Sequence, residues 1–368
     1  MRILLILVVA IGFYIIIREI YVKNCFKNLS SEVAFDKKAV FQGEYCKVKV
    51  CLTNKKLFPL WWIVVRYKLS KNLVFVEEGD LQKGHDNYRT EGFYLRSYEK
   101  VTREYTLLGE RRGYYEIKEL ELLSGDLFGD TRLIKRYTND AVLYVYPQIV
   151  PIEEISLLFN KINGEIIAKK QLLEDPFQLR GIREYSPFDS MKTINWKATA
   201  KSGELKVNQF DTTSSVGITI LLNVEKYNEF DDINLLEKGI SIAASLANEF
   251  IKRGMDVELI SNGRNDATGE ALEVEAGSYA EKNREVYEAL AALNISNKEF
   301  GLVDLLNSNL TYHRKNRVIV IVSHYYSPEA VEIFSLKLRE GYSLRWIVPK
   351  MKDEGKIFEG LEEFIVGM

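Results

Sequence analysis

The hydrophobic pattern of the chain changes partway along, and this change constrains the fold more than any other feature. From about Phe26 to Pro151, apolar and polar residues alternate; in 46–53 (CKVKVCLT), for example, Cys46, Val48 and Val50 share one face. From Val216 onward, continuous apolar runs alternate with segments of helical period. Alternation predicts half-buried antiparallel strands, whereas apolar runs between helices predict a parallel sheet covered on both faces. The chain therefore contains two folded regions of different class.

The first region is predicted to be an antiparallel β-sandwich over 25–151, because short strands are separated by clusters of glycine and aspartate. Trp61 and Trp62 are adjacent on one of these strands. Successive side chains of a strand point to opposite faces, so we expect one ring in the core and one on the surface. The alternative is that the pair forms a platform for a ligand.

The second region, over 213–368, is predicted to be an α/β domain with a mainly parallel sheet. Its first helix contains apolar residues at helical spacing from Ile233 to Phe250, with Asp231 and Asp232 placed to cap it and Gly254 placed to end it. No glycine-rich phosphate loop follows the first strand, and no G-x-S-x-G motif is present. We therefore predict no nucleotide cofactor and no enzymatic activity.

The N-terminus predicts a membrane anchor over 1–24. The stretch from Ile3 to Ile17 has no charged residue, and Arg2 and Arg18 flank it, where their side chains can reach polar surroundings. No small-x-small signal-peptide cleavage site follows. Positive charges after the stretch place the C-terminal bulk in the cytoplasm, which makes this a single-pass protein of the cell membrane. The alternative is a buried core helix.

Charge and cysteine content give no support to two classes of protein. Lysine and arginine number 50 against 52 aspartates and glutamates, which leaves a formal charge of −2 and no basic excess for binding nucleic acid. Cys46 and Cys51 lie about 16 Å apart along one predicted strand, too far for a disulfide. No disulfide framework of the kind found in secreted proteins is therefore predicted.

A charged stretch, 180–210, separates the two regions and is called the signature segment below; it reads RGIREYSPFDSMKTINWKATAKSGELKVNQF. It resembles the signature of the DUF58 family, R-x-Y-x-x-G-D followed by I-x-W-x-x-(S/T)-A-R and G-x-L. The matching residues are Arg183, Tyr185, Asp189, Ile194, Trp196, Ala200, Gly203 and Leu205. Phe188 stands where the family has glycine, and Lys201 stands where it has arginine. The stretches 110–129 and 143–147 also resemble family segments.

The resemblance implies a fold and a role. It implies that 213–368 is a von Willebrand factor A-like domain and that 152–212 is a connecting segment. It also implies a membrane-anchored, non-catalytic adaptor that acts with a MoxR-type AAA+ ATPase, and with other membrane proteins, in maturing or assembling protein complexes. The alternative function is an extracellular surface adhesion protein that binds through its A-like domain.

The signature segment allows two interpretations, and both stay open. In the first, Arg183 and Asp189 form an ion pair that fixes a tight loop, and Trp196 packs over a sheet edge. In the second, the segment is a docking surface, since arginine and tryptophan are enriched among the residues that dominate binding energy. The candidate residues are Arg180, Arg183, Tyr185, Asp189, Trp196, Lys197 and Lys201.

The resemblance also directs attention to a metal site. Von Willebrand A domains bind a divalent cation through D-x-S-x-S after the first strand, and the corresponding residues here are Asn223, Glu225 and Tyr227. Hard oxygen ligands suit Mg²⁺, but a tyrosine is too long at this position and Lys226 adds a positive charge. We therefore predict that the site is lost or much weakened and that no metal or other cofactor is bound.

Overall fold

A computed structural model describes residues 2–76, 88–125, 132–172, 174–186, 189, 191–212, 216–227, 233–349 and 364–367. The chain divides into two compact units, Met1–Gln148 (unit 1) and Ile149–Met368 (unit 2). The described residues of the two units form four sheets.

Unit 1 contains one helix and nine strands within its described residues. They are α1 (Arg2–Asn24), β1 (Leu29–Phe35), β2 (Ala39–Phe41), β3 (Tyr45–Asn54), β4 (Leu60–Lys68), β5 (Leu73–Phe75), β6 (Tyr88–Leu95), β7 (Lys100–Gly109), β8 (Gly113–Gly125) and β9 (Arg132–Tyr146). One sheet has the order β1-β3-β7-β5, and the other has the order β2-β9-β8-β4-β6. Val48, Val50 and Leu52 of β3 are fully buried while Lys47 is exposed, so alternate residues of this strand form part of the core.

The prediction that α1 crosses a membrane is wrong. None of the helices in the described part of the chain combines the length and the apolar character needed to cross a bilayer. The uncharged stretch ends at Arg18 after about 22 Å of helix, whereas the hydrocarbon core is about 30 Å thick. The end of α1 and the residue that follows it pack into the core of unit 1 instead: Tyr21 and Cys25 are buried, and the Tyr21 ring lies 5.4 Å from that of Phe58. The predicted localisation, single-pass in the cell membrane with a cytoplasmic C-terminal bulk, depended on this anchor and is wrong as well.

The prediction that Trp61 and Trp62 divide between core and surface is also wrong. In the pairing of β4 with β6, Leu60 lies opposite Leu95 and Ile63 lies opposite Phe93, so β4 carries one extra residue at this point. This β-bulge turns both indoles outward, and Trp61 and Trp62 are 57% and 51% exposed.

Unit 2 begins with α2 (Ile152–Leu172), followed by β10 (Glu174–Glu184), a 3₁₀ turn (Met191–Thr193), α3 (Trp196–Ser202) and β11 (Lys206–Thr212). The rest contains β12 (Ile218–Leu222), α4 (Ile233–Lys252), β13 (Val257–Asn265), β14 (Ala271–Gly277), α5 (Lys282–Ala292), β15 (Leu293–Lys298), α6 (Leu302–Asn309), a 3₁₀ turn (Tyr312–Arg314), β16 (Val318–Val322), α7 (Pro328–Arg339), β17 (Ser343–Val348) and β18 (Ile365–Gly367).

A seven-stranded sheet organises unit 2, with the order β14-β13-β12-β16-β17-β18 and with β15 also pairing with β13. The pairs from β13 through β12, β16 and β17 to β18 are parallel, whereas β14 and β15 are antiparallel to β13. Every residue of β12 and β16 is buried. Helix α4 covers part of this sheet, and its Phe250 stacks on Phe159 of α2 at 4.7 Å. Gly254 follows α4 with a φ of 71°, while Asp231 and Asp232 lie outside the described residues.

The predicted fold class, a transmembrane helix followed by an antiparallel β-sandwich and a von Willebrand factor A-like α/β domain, is therefore wrong. The described residues form a predominantly β structure of four sheets, and none of their helices is suited to crossing a membrane. The strands β14 (ALEVEAG) and β15 (LNISNK) are too polar to stand out as buried strands in the sequence. They pair because β13 presents them with a long hydrogen-bonding edge.

Candidate functional site

The signature segment folds as a small antiparallel hairpin with a short helix. Strands β10 and β11 pair with Arg183 opposite Val207 and Glu184 opposite Lys206. Ile194 forms an isolated bridge with Val207, and both of these side chains are buried. Two apolar side chains thus hold the connecting loop against β11.

An ion pair closes the loop between β10 and the 3₁₀ turn. The Arg183 guanidinium donates hydrogen bonds of 2.6 and 2.5 Å to the two oxygens of Asp189, and the Ser186 backbone N–H donates a third, of 2.8 Å. The Arg183 guanidinium, and next the Ser186 N–H, hold the pKa of Asp189 below its usual value. The Asp189 side chain is 15% exposed and that of Arg183 is 45% exposed.

Helix α3 is fixed at both ends. The Asn195 side chain caps it by accepting from the Ala198 N–H at 2.9 Å, and its amide donates to Asn208 of β11 at 2.6 Å. Gly203 ends it with a φ of 77° and donates its backbone N–H to the Thr199 carbonyl. The helix is therefore held against the hairpin although it is only seven residues long.

Large apolar side chains of this substructure point to solvent. Met191 is 67% exposed and Trp196 is 64% exposed, with Ile182 and Leu205 at 47% and 43%. The first interpretation required Trp196 to pack over a sheet edge, and the exposure of its side chain shows that it does not.

The other predicted residues of the segment differ in how they are placed. Lys197 and Lys201 are exposed, Tyr185 is half-buried, and the Tyr185 backbone N–H donates to the Leu205 carbonyl at 2.9 Å. Arg180 lies in β10, and Phe188 lies outside the described residues.

The second candidate site is the edge of the large sheet where its parallel strands end. Asn223, Asn262 and Ser323 are buried there and bind one another: Asn223 donates to Ser323 Oγ at 2.7 Å, and Asn262 donates to Asn223 Oδ1 at 2.7 Å. Asn223 Oδ1 also accepts the Glu225 N–H at 3.2 Å, so both of its lone pairs are engaged. Asn262 lies in β13, and Ser323 directly follows β16.

The Glu225 carboxylate and the Tyr227 hydroxyl bind groups other than Asn223. The Glu225 carboxylate forms an ion pair with Lys298 and accepts the Leu302 N–H at 2.7 Å, at the start of α6. The Tyr227 hydroxyl donates to the Tyr326 carbonyl at 3.3 Å and accepts the Tyr326 N–H at 3.1 Å. Burial raises the pKa of Tyr227.

The side chains at the three positions Asn223, Glu225 and Tyr227 are thus each engaged with other protein groups. Throughout the described ranges, no group of three or more histidine, cysteine, aspartate or glutamate side chains is arranged to hold a metal ion. The prediction that a cation site is lost or weakened stays a prediction. The role of Lys298 and Leu302 was not predicted, because they lie more than 70 positions from Glu225 and no local pattern links them.

Comparisons with known proteins add little to this geometry. No family model matches the sequence. The uncharacterized protein YeaD of Bacillus subtilis (strain 168) is 22% identical over 250 residues, which is 65% of this chain and 57% of that protein. The chain thus matches a little over half the length of this relative.

Solved structures share only a low overall similarity. A non-cellulosomal cohesin from Archaeoglobus fulgidus aligns with a TM-score of 0.23 and 14% identity over 35% of this chain and 97% of its own. The CARDB domain of a Pyrococcus furiosus protein aligns with a TM-score of 0.19 and 10% identity over 32% and 97%. These TM-scores carry no argument about function. Neither this relative nor a family model supports the expected links to DUF58, von Willebrand factor A-like or MoxR-associated proteins.

Proposed function

We propose that this protein is a non-catalytic adaptor that binds a partner protein through the signature segment. The observation that carries the proposal is the exposure of Trp196 and Met191 on a substructure that is otherwise tightly fixed. When an exposed indole on a rigid backbone binds a partner, a large apolar area is removed from water and little conformational freedom is lost. Tryptophan is also among the residues that contribute most to binding energy at protein interfaces.

The charges around Trp196 indicate the chemistry of the partner. Lys197 and Lys201 are exposed on the same short helix, while the charge of Arg183 is already matched by Asp189. A partner surface with an apolar pocket bordered by carboxylates would complement this arrangement. The sequence resemblance implies a MoxR-type AAA+ ATPase as the partner and the assembly of protein complexes as the setting, and this ATPase is the first partner to test.

A binding role also fits the polar residues at the sheet edge. Ser323 accepts from Asn223 and donates to the Tyr325 carbonyl, so its hydroxyl is held in a structural network with no side-chain base bound to it in the described contacts. Asn223 and Asn262 are likewise engaged with each other. These contacts support a non-catalytic role.

The proposal is tested by titrating the full chain with the purified ATPase from the same genome and measuring Kd. We expect Trp196→Ala to weaken binding by about tenfold or more, as for a residue central to an interface. Lys197→Glu with Lys201→Glu should weaken it further and reduce its salt dependence.

Tyr312→Ala is the matched control, because Tyr312 is an 80% exposed aromatic residue elsewhere in unit 2 and should not matter. Unchanged affinity of a Trp196→Ala variant whose thermal unfolding matches the wild type would refute the docking role. Absence of binding by the wild type would reject this ATPase as the partner.

A further inference from the structure

We propose that unit 1 carries a second docking surface, which binds an extended, acidic polypeptide segment with apolar side chains. The surface consists of Leu57, Trp61, Trp62, Tyr94 and Tyr98 and is called the aromatic surface below. It goes beyond the proposed function, because it lies in a different unit from the signature segment and is argued from different residues.

The bulge in β4 builds the centre of this surface. Leu60 and Ile63 on either side of it are fully buried, which fixes the backbone between them, and Trp61 and Trp62 both face outward opposite Tyr94. The ring centroids of Trp61 and Tyr94 are 5.8 Å apart. Bulges of this kind redirect side chains, and here the result is a pair of adjacent exposed indoles.

Two loops extend the surface beyond the bulge. Leu57 is 75% exposed and Tyr98 is 69% exposed, and the Tyr98 backbone N–H donates to the Lys56 carbonyl at 3.1 Å. The Ser97 hydroxyl donates to the Leu57 carbonyl. These bonds hold the 55–59 and 96–99 loops side by side, and each loop exposes a large apolar side chain. Exposed apolar side chains grouped on neighbouring segments commonly mark an interaction site.

The backbone under the aromatic surface is held from below. The buried Asn54 side chain donates to the Phe58 carbonyl at 2.9 Å and to the Arg96 carbonyl at 2.8 Å, and so connects both loops. The Glu99 carboxylate accepts the Arg96 N–H at 2.6 Å. A surface fixed in this way loses little entropy when a partner binds.

The charge of these loops selects an acidic partner. Lys55, Arg96 and Lys100 are exposed, whereas the acidic residue between them, Glu99, is engaged with the Arg96 backbone. A basic border around aromatic rings attracts a partner rich in aspartate and glutamate.

The position of β6 favours an extended polypeptide over a lipid or a sugar. Among the described strands, β6 is the last one of its sheet and pairs only with β4, so no described strand occupies its outer backbone edge, where a strand could be added. No atom of the described residues lies within 4 Å of where a Cβ on Gly92 would be, so they leave room on the outward face of β6. A peptide strand added beside β6 would place its side chains next to Tyr94 and within reach of the indoles.

The test is a selection of peptides of about ten residues, displayed on phage, against the immobilised full chain. Phage that also bind the Trp61→Ala/Trp62→Ala variant are removed. We expect the selected peptides to be rich in aspartate and glutamate together with aromatic or β-branched residues.

A synthetic peptide of the selected sequence should bind the double variant about tenfold or more weakly, and Tyr45→Ala, a matched exposed tyrosine on the other sheet, should bind it normally. N-methylation of alternate peptide amides should abolish binding, because it removes the donors needed for strand pairing.

The inference is overturned if the peptides are not acidic, if N-methylation has no effect, or if the double variant binds them equally. It is also overturned if phosphatidylglycerol vesicles or oligosaccharides bind in a tryptophan-dependent way and peptides do not. Trp62→Ala alone and Tyr98→Glu provide further variants if the double variant does not fold. Trp196→Ala should bind the peptides normally, so a negative result for one docking surface does not affect the test of the other.

Discussion

Glu225 is the residue whose replacement best distinguishes a structural strand-end contact from a residual metal site. Its carboxylate accepts the Leu302 N–H at the first residue of α6 and pairs with Lys298, whose side chain is 48% exposed. We expect Glu225→Ala to lower the free energy of unfolding of unit 2 and to leave its affinity for divalent cations unchanged.

The contacts set the size of the effect. A backbone N–H bonded to a charged carboxylate is worth about 1.5–3 kcal/mol. A negative charge at a helix N-terminus is worth roughly 0.3–1 kcal/mol, and the half-exposed partner Lys298 adds about 0–1 kcal/mol. Because one carboxylate makes all of these contacts, they overlap, and we expect a loss of about 2–3 kcal/mol for Glu225→Ala. Glu225→Gln keeps an acceptor for Leu302 and should lose about 1 kcal/mol.

The assay is urea unfolding followed by the fluorescence of Trp346, which is 1% exposed in β17. The chain has four tryptophans, so replacing Trp61, Trp62 and Trp196 with phenylalanine leaves a probe that reports unit 2 alone. Calorimetric titration with Mn²⁺ measures cation binding in the same variants.

Either of two results would refute a purely structural role for Glu225. The first is an Ala variant as stable as the parent, which would mean that the contact with Leu302 contributes nothing. The second is stoichiometric Mn²⁺ binding that Glu225→Ala removes, which would mean that the carboxylate turns towards a cation in solution.

Three further predictions concern the signature segment and the cysteines. Arg183 lowers the folded-state pKa of Asp189 below its usual value of 3.8, so the pair stabilises the fold at neutral pH. This stabilisation is lost as the pH falls through the lowered pKa. Asp189→Asn should therefore make the free energy of unfolding less sensitive to acid, as measured by unfolding at a series of pH values. Gly203→Ala should destabilise the hairpin by about 1–2 kcal/mol, because a side chain is strained at the φ of 77°. Faster hydrogen exchange of the α3 amides would support this prediction, and unchanged exchange would contradict it. Burial raises the pKa of Cys46 to about 11, so iodoacetamide at pH 8 should label Cys51 first; mass spectrometry showing the reverse order would contradict this.

The sequence predicts local patterns well where burial alone decides them. The alternation in 46–53 corresponds to alternating burial in β3, and the apolar run after Val216 contains the fully buried β12. Both patterns are visible because each strand contacts the core on a fixed side, whatever its neighbours are.

Features that depend on a partner segment could not be predicted. The outward position of both Trp61 and Trp62 follows from a bulge, and the bulge exists only in the pairing of β4 with a strand about 30 positions later. The apolar stretch of α1 does not reveal that Tyr21, at its end, packs against Phe58. The Glu225 contacts likewise join loops that are distant in sequence.

The candidate residues of the signature segment illustrate the same limit. Arg183 and Asp189 are close in sequence, and their charges alone suggest the pairing that the structure places there. The exposure of Trp196 depends on how α3 lies against β11, which is set by the hydrogen bond between Asn195 and Asn208 and by the burial of Ile194. No pattern within the segment contains that information.

The distribution of tryptophan supports the proposal that this chain binds partner proteins. Of its four tryptophans, Trp346 is buried, whereas Trp61, Trp62 and Trp196 are each more than half exposed. Burial of an indole removes more apolar area from water than burial of almost any other side chain. Partner surfaces that covered the three exposed indoles would therefore gain binding free energy from them. The polar groups at the sheet edge show the opposite arrangement, since Asn223, Asn262 and Ser323 satisfy one another. The polar groups of the sheet edge are therefore satisfied within the protein, whereas the two surfaces proposed to bind partners each expose tryptophan.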